Sequence, residues 1–281
     1  GGLSRLIESI VQALYNSDEV DEFIIMKSLI ASYYNAGLFY PVEVDAVVDE
    51  TSAKTMLTAV RSNVLSLDIP SRRFNSMGVM RTVAPEDQVL VITPAVEAAI
   101  DVNALAQAFN MSKADFTARH LVVDNFGPNT DNIVGVLFDR EWFIQYDTYF
   151  GTEAVRNPMG LYDNMYLHHQ GIYSTSRFAN AVVFISNSAS VTGITVTGAA
   201  SVAAGTYTDM TAKVTGTTSN YVPQSVNWSI SGEASSGTYI DKGGRLFISS
   251  KEPANATGIT VTATSTYDDS INGTATVKIT A

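Results

Sequence analysis

FISNSASVTGITVTGAASVAAGT, Phe184 to Thr206, is where the chain changes character. Upstream it is rich in aromatic residues, Leu, Met and acidic residues. Downstream the letters narrow to Thr, Ser, Gly, Val and Ala, with polar and apolar positions alternating. Alternation with period two is a strand signature, because successive side chains on a strand point to opposite faces. The stretch therefore predicts a boundary, with one unit over 1–187 and a second over 188–281. A length of 281 residues leaves room for two.

Downstream of the boundary every signal is β. GITVTG, DMTAKVTG, SVNWSIS, RLFISS, GITVTATS and TATVKIT are short alternating runs separated by Gly, Ser, Asn and Pro. That spacing predicts an all-β sandwich. Trp228 in VNWSIS is the large aromatic expected to anchor its small core, and no disulfide can help, since the chain has no cysteine.

Upstream, helices come first. Leu3, Leu6, Ile7, Ile10, Val11 and Leu14 recur on one helical face. NSDEV, Asn16 to Val20, reads as a break and a new start, with Asp18, Glu19, Asp21 and Glu22 at the positive end of a second helix. That helix carries apolar residues on more than one side, so packing on two faces is expected. Gly37 lies where a helix-terminating glycine belongs. A third helix fits Ser52 to about Leu65, and Ser66 to Thr82 reads as a long, partly ordered loop. QVLVIT is a buried strand leading into a helix capped by Thr93 with Pro94 in its first turn. A further helix is expected from Asp101 to Asn110, followed by a capping pair, Ser112 and Asp115. HLVVD, IVGVLFD, EWFIQYD and NAVVFIS then read as strands. Helices and strands do not alternate regularly, so the expected class for this part is α+β.

Chemistry is sparse. Three histidines exist, His120, His168 and His169; the adjacent pair sits in a strand pattern and should face opposite ways. His120 has no carboxylate at metal-ligand spacing. DNFGPNTDN, Asp124 to Asn132, lacks the acidic spacing of a calcium loop. There is no nucleophile elbow, phosphate loop or HExxH helix. No catalytic residue, cofactor or metal is expected. The net charge of −11 is concentrated upstream, where 12 Lys and Arg face 22 Asp and Glu through Asn187, against 5 and 6 beyond it. Such a body opposes the counterion release that drives non-specific nucleic-acid binding. No apolar run reaches the roughly 20 residues needed to span a bilayer, and the Gly1-Gly2 opening reads as a tag remnant or an internal start.

YNSDEVDEFIIMKSLIASYYNAGLF, SRRFNSMGVMRT, AIDVNALAQAFNMSKADF, LFDREWFIQYD, VRNPMGLY and SRFANAVVFIS occur in this order over residues 5 to 187. Together they resemble the major capsid proteins of phi-29-like tailed phages. The resemblance implies an HK-97-type fold with peripheral and axial subdomains in 1–187. It also implies a bacterial Ig-like group 2 domain over 188–281, where VNWSISG, GGRLFIS and VTATS are similar to that module. Family members carry an N-terminal arm and an extended loop ahead of the long helix, and this chain starts at that helix. The implied function is a virion shell protein, built in the host cytoplasm. It self-assembles into hexamers and pentamers, works with scaffolding and portal proteins, and encloses DNA without specific binding. The β module would contact neighbouring capsomers or cell-surface glycans. The acidic corner Asp18, Glu19, Asp21 and Glu22 and the loop residues Arg72, Arg73 and Phe74 are the candidate inter-subunit contacts. The competing class is a bacterial surface or adhesion protein carrying an Ig-like module.

Overall fold

The computed structural model describes residues 2–100, 120–160 and 162–280; the helix expected at Asp101–Asn110 and the Ser112/Asp115 capping pair lie outside them. The chain opens with one continuous helix, α1 (Gly2–Asn35), rather than two. Asn16 and Ser17 are cap formers, yet here they sit on the exposed side of an ongoing helix, where Gln12 Nε2 donates to Asn16 Oδ1 at 2.8 Å. A polar side chain satisfied along the helix surface no longer competes for the backbone. Asp18 to Glu22 are therefore mid-helix, not at a helix start. The expectation of two packed faces also fails, since Val20, Phe23 and Ile24 are exposed. The C-terminal stop is as expected. Gly37 adopts φ +69°, its N–H donates to the Tyr34 carbonyl at 2.8 Å, and the Leu38 N–H donates to that of Tyr33 at 3.2 Å. This pair of bonds is the Schellman arrangement.

The second helix, α2 (Glu50–Leu67), starts two residues before the expected Ser52 because Asp49 caps it. Asp49 Oδ1 accepts from the Ser52 N–H at 2.8 Å while Ser52 Oγ accepts from the Asp49 N–H at 3.0 Å. Its inner face, Met56, Val60, Val64 and Leu67, is fully buried. The short α3 (Pro94–Ala99) follows Thr93 and Pro94 as expected, although the Thr93 side chain makes no capping bond.

A mixed sheet forms the centre. Its strands are β1 (Tyr40–Glu43), β2 (Gln88–Ile92), β3 (His120–Val122), β4 (Ile133–Asp139) and β7 (Ala181–Ile185). They lie in the order β1-β7-β4-β2-β3, with β1/β7 and β2/β3 parallel and the other pairs antiparallel. Strands β4 and β7 are buried at every position, which explains apolar lettering that only Asp139, at the end of β4, interrupts. On one face Leu90, Ile92, Leu137, Val182 and Phe184 pack with α2. On the other, Val91, Val136, Phe138, Val183 and Ile185 pack with Trp142 and the end of α1. Between β4 and β7 the chain leaves this core as a two-stranded ribbon, β5 (Phe143–Asn157) with β6 (Tyr162–Thr175). At 3.4 Å per residue it is about 50 Å long.

The Ser66–Thr82 segment is not a partly ordered loop beyond the end of α2. An isolated bridge joins Ser71 to Arg81, and Phe74, Asn75 and Ser76 are buried. Asn75 holds the turn by accepting from the Val79 N–H and donating to the Val79 carbonyl, both at 2.8 Å.

After Asn187 the described chain is all β, as the alternation predicts. β12 (Val226–Ser231), β15 (Asn255–Ser265), β16 (Asn272–Thr280) and β9 (Ser201–Ala203) form one sheet in that order. β10 (Tyr207–Asp209), β14 (Arg245–Phe247) and β13 (Tyr239–Ile240) form another, and β8 (Gly193–Thr197) pairs with β11 (Thr211–Thr215). The core between them is aliphatic: Leu246, Ile259, Val261, Val277 and Ile279 are buried at its centre. Trp228 is only partly buried and packs against that centre from its edge, its ring close over Gly244.

The β part is docked against the upstream body. Tyr221 is buried with its ring stacked on Tyr34 (centroids 4.7 Å apart), and its hydroxyl donates to the Phe39 carbonyl at 3.1 Å. Burial in that site pushes its phenol pKa well above the usual 10. Close by, the Gln224 N–H donates to the Gly37 carbonyl at 2.8 Å. Glu43 Oε1 accepts from the Ala189 N–H at 2.8 Å and from the Tyr267 hydroxyl at 3.4 Å.

Candidate assembly surface

The surface that stands out is made by α1 and the β5–β6 ribbon. An amphipathic pattern is missing from β5, where nearly every position from Ile144 to Arg156 is exposed on both faces of the ribbon. Tyr146, Tyr149, Phe150 and Val155 on β5 and Tyr166 and Ile172 on β6 are all exposed. Val20, Phe23 and Ile24 extend the apolar character along α1. An isolated two-stranded ribbon is marginal in water.

Where α1 crosses the ribbon, the two are tied by charge. His169 Nδ1 lies 2.8 Å from Asp18 Oδ1 and 3.8 Å from Glu22 Oε1, and its Nε2 lies 3.0 Å from Asp147 Oδ1. The Asp147 and Asp18 carboxylates hold the imidazole pKa above its ordinary value. Glu22 Oε1 also accepts from Gln145 Nε2 at 2.7 Å and from the Tyr173 hydroxyl at 3.1 Å. Burial, reinforced by that bond to Glu22, pushes the Tyr173 phenol up to about 12. His168 points to the other side of β6, near Glu153 at 3.3 Å, so the neighbouring rings do face apart.

The contact candidates read from the sequence divide. Asp18 and Glu22 are engaged within the chain, whereas Glu19 and Asp21 are exposed. Arg72 is exposed, and Arg73 lies over the Tyr40 ring with its guanidinium carbon 4.6 Å from the centroid. Phe74 is not available to a neighbouring subunit. It is 7% exposed and packs edge-on against Tyr40, because its position in the turn after α2 points it into the core. His120 has a carboxylate partner that sequence spacing hid, Glu97 Oε1 at 2.9 Å, brought to it by the parallel β2–β3 pairing. Asp124, in the loop weighed for calcium, is taken by the ammonium of Lys27. Sequence reasoning missed the ribbon, the carboxylate partners of His169, and Tyr221. Only the dense aromatic content of 143–173 could have signalled the first.

Residues 1–185 match the family described as the Phi29-like phage major capsid protein. The chain belongs to this family. Among relatives, the major capsid protein of Bacillus phage PZA is 39% identical over 257 residues, covering 90% of this chain and 56% of the relative. That of Bacillus phage B103 is 38% identical over 258 residues, with the same coverage of 90% and 56%. The chain thus spans about half the length of the curated relatives it matches. Alignments of 257 residues cannot fit within 1–185, so the likeness to these capsid proteins runs into the all-β part. Among solved structures, the capsid structure of Staphylococcus phage Andhra superimposes with a TM-score of 0.52 at 11% identity, over 66% of this chain and 64% of that one. That likeness speaks to the fold of a phage capsid protein. Among the described residues no helix is long and apolar enough to cross a membrane.

Proposed function

We propose that this chain is the shell-building portion of a tailed-phage major capsid protein. On this reading residues 1–187 form an HK-97-type domain, with α1 and the ribbon as its peripheral subdomain and the central sheet as its axial one. Residues 188–281 form an Ig-like sandwich of the bacterial group 2 type. The protein works by self-association into rings of five and six, which close only if each heterologous contact is repeated at a fixed rotation. Scaffolding and portal proteins would guide closure. The acidic body, with 22 Asp and Glu against 12 Lys and Arg, would enclose packaged DNA without gripping it. The mature site is the virion, after assembly in the host cytoplasm.

The observation that carries this reading is the exposed apolar ribbon lying on α1, which a lone subunit leaves in water. A neighbouring copy would cover it. Exposed Arg72 on one subunit and Glu19 and Asp21 on the next would add charge complementarity at the rim, worth little in stability but useful for register. The docking of the β module through Tyr221 and Glu43 favours a role in contacts between capsomers over a freely tethered glycan binder.

The test is electron microscopy of the chain coexpressed with its scaffolding protein. Closed shells are expected from the unchanged protein. V155D and I172D, both on exposed ribbon positions, should fold by circular dichroism yet leave unassembled subunits. Shells that form normally with both aspartates in place would remove the ribbon from the assembly surface.

A further inference from the structure

The crossing of α1 and the ribbon holds more than an ion pair. Asp18 and Glu22 are one helical turn apart, so both carboxylates leave the same face of α1. A ligand atom from each, together with one ring nitrogen of His169, all lie within 4.8 Å of one another. Donors arranged tetrahedrally around an ion at about 2.1 Å sit about 3.4 Å from one another, against 2.8 Å from Nδ1 to Asp18 Oδ1 and 3.8 Å from Nδ1 to Glu22 Oε1, so small side-chain shifts would close the set. The His169, Asp18 and Glu22 side chains are 10%, 19% and 34% exposed, so the site is half-buried and open to an ion from solvent. On the far side of the imidazole, Asp147 Oδ1 receives Nε2 at 3.0 Å. A ligating histidine with its second nitrogen on a carboxylate is the usual outer-shell arrangement of metal sites, and it fixes both ring orientation and tautomer. Gln145 and Tyr173 hold Glu22 in place in the same way.

We propose that Asp18, Glu22 and Nδ1 of His169 bind one divalent transition-metal ion, with Zn²⁺ the best fit, and that Asp147 is its outer-shell support. One imidazole with two carboxylates suits this class, whereas Ca²⁺ and Mg²⁺ prefer all-oxygen shells. The ion takes the position on Nδ1 that now faces Asp18 Oδ1. It joins α1 to β6 across 151 residues of sequence and fixes the angle at which the ribbon leaves the body.

The test is calorimetric titration of ZnCl₂ into the chelator-stripped chain at pH 7. One ion per chain is expected. H169A and the isosteric pair D18N/E22Q should each weaken binding at least a hundredfold. D147N should weaken it roughly 10- to 100-fold, in the range of other outer-shell losses. H168A, on the opposite face of β6, should bind as tightly as the unchanged chain. Circular dichroism of each variant separates lost ligands from lost fold, and D147N, which removes no ligand, tests the site if H169A does not fold. Absence of saturable one-to-one binding overturns the proposal, as does unchanged affinity in folded H169A or in D18N/E22Q.

Discussion

Tyr221 is the residue on which the union of the two parts can be tested most directly. It is 5% exposed, stacks on Tyr34 and donates to the carbonyl of Phe39, which leads into β1. Tyr221→Phe keeps the ring and deletes the donor. The Phe39 carbonyl then loses that buried partner, at a cost of about 1–3 kcal/mol. Tyr221→Ala removes the ring as well. Deleting a buried aromatic costs about 3–5 kcal/mol, and the lost stacking adds about 0.5–1.5 kcal/mol. The two tryptophans make the assay specific, because Trp142 is fully buried in the body and Trp228 sits, partly exposed, in the β part. Their emission maxima should therefore differ. In urea, the unchanged chain should lose both signals in one transition. Tyr221→Phe should lower the midpoint with the transitions still coincident, and Tyr221→Ala should separate them. If Tyr221→Ala leaves both signals coincident with a loss below about 1 kcal/mol, the parts are held by something other than this residue, and the reasoning from its burial fails.

Three further outcomes follow from local chemistry. Glu252 is 4% exposed and accepts from the N–H groups of Ala234 (2.6 Å) and Ser235 (3.0 Å) and from the Thr238 hydroxyl (2.6 Å). Glu252→Gln swaps an acceptor for a donor there and should cost about 1–3 kcal/mol at neutral pH by chemical denaturation. Burial raises the Glu252 pKa, but the bonds from Thr238, Ala234 and Ser235 outweigh it and leave it below the ordinary 4.5. Its stabilisation is therefore complete above pH 4.5 and fades as the pH falls through the lowered value, so the gap between Glu252→Gln and the unchanged chain should narrow only in acid. Gly37→Ala should destabilise by more than about 2 kcal/mol, since a left-handed residue with a Cβ costs about 1–2 kcal/mol. That Cβ would also sit 2.5 Å from the Val222 carbonyl oxygen, so a loss below 1 kcal/mol in thermal unfolding would contradict the close approach.

What could be read from the sequence was whatever a single element decides for itself. The near-continuous apolar lettering of β4 and β7 announces burial on both sides, Gly37 announces the end of α1, and the Thr/Val alternation after Asn187 announces strands. The ordered series of family-like segments carried the capsid resemblance, because sequence likeness survives where no local chemistry advertises a function. Local signals misled where tertiary context overrode them. NSDEV has the residues of a helix start, yet α1 runs through it because its polar groups are satisfied along the exposed face of the helix. The Ser66–Thr82 segment has no period because a turn held by Asn75 has none, and it is nonetheless packed, with Phe74 spent in the core. Trp228 is the largest side chain of the β part but is only partly buried against a core whose centre is aliphatic. Only the fold could place His169 between Asp18 and Asp147, or Tyr221 on Tyr34. These groups are separated by 151, 22 and 187 residues, and nothing in a local pattern encodes contact across such distances. The sequence determined which elements form; the closing of the chain on itself decided which side chains they share and which apolar faces they leave for a neighbour.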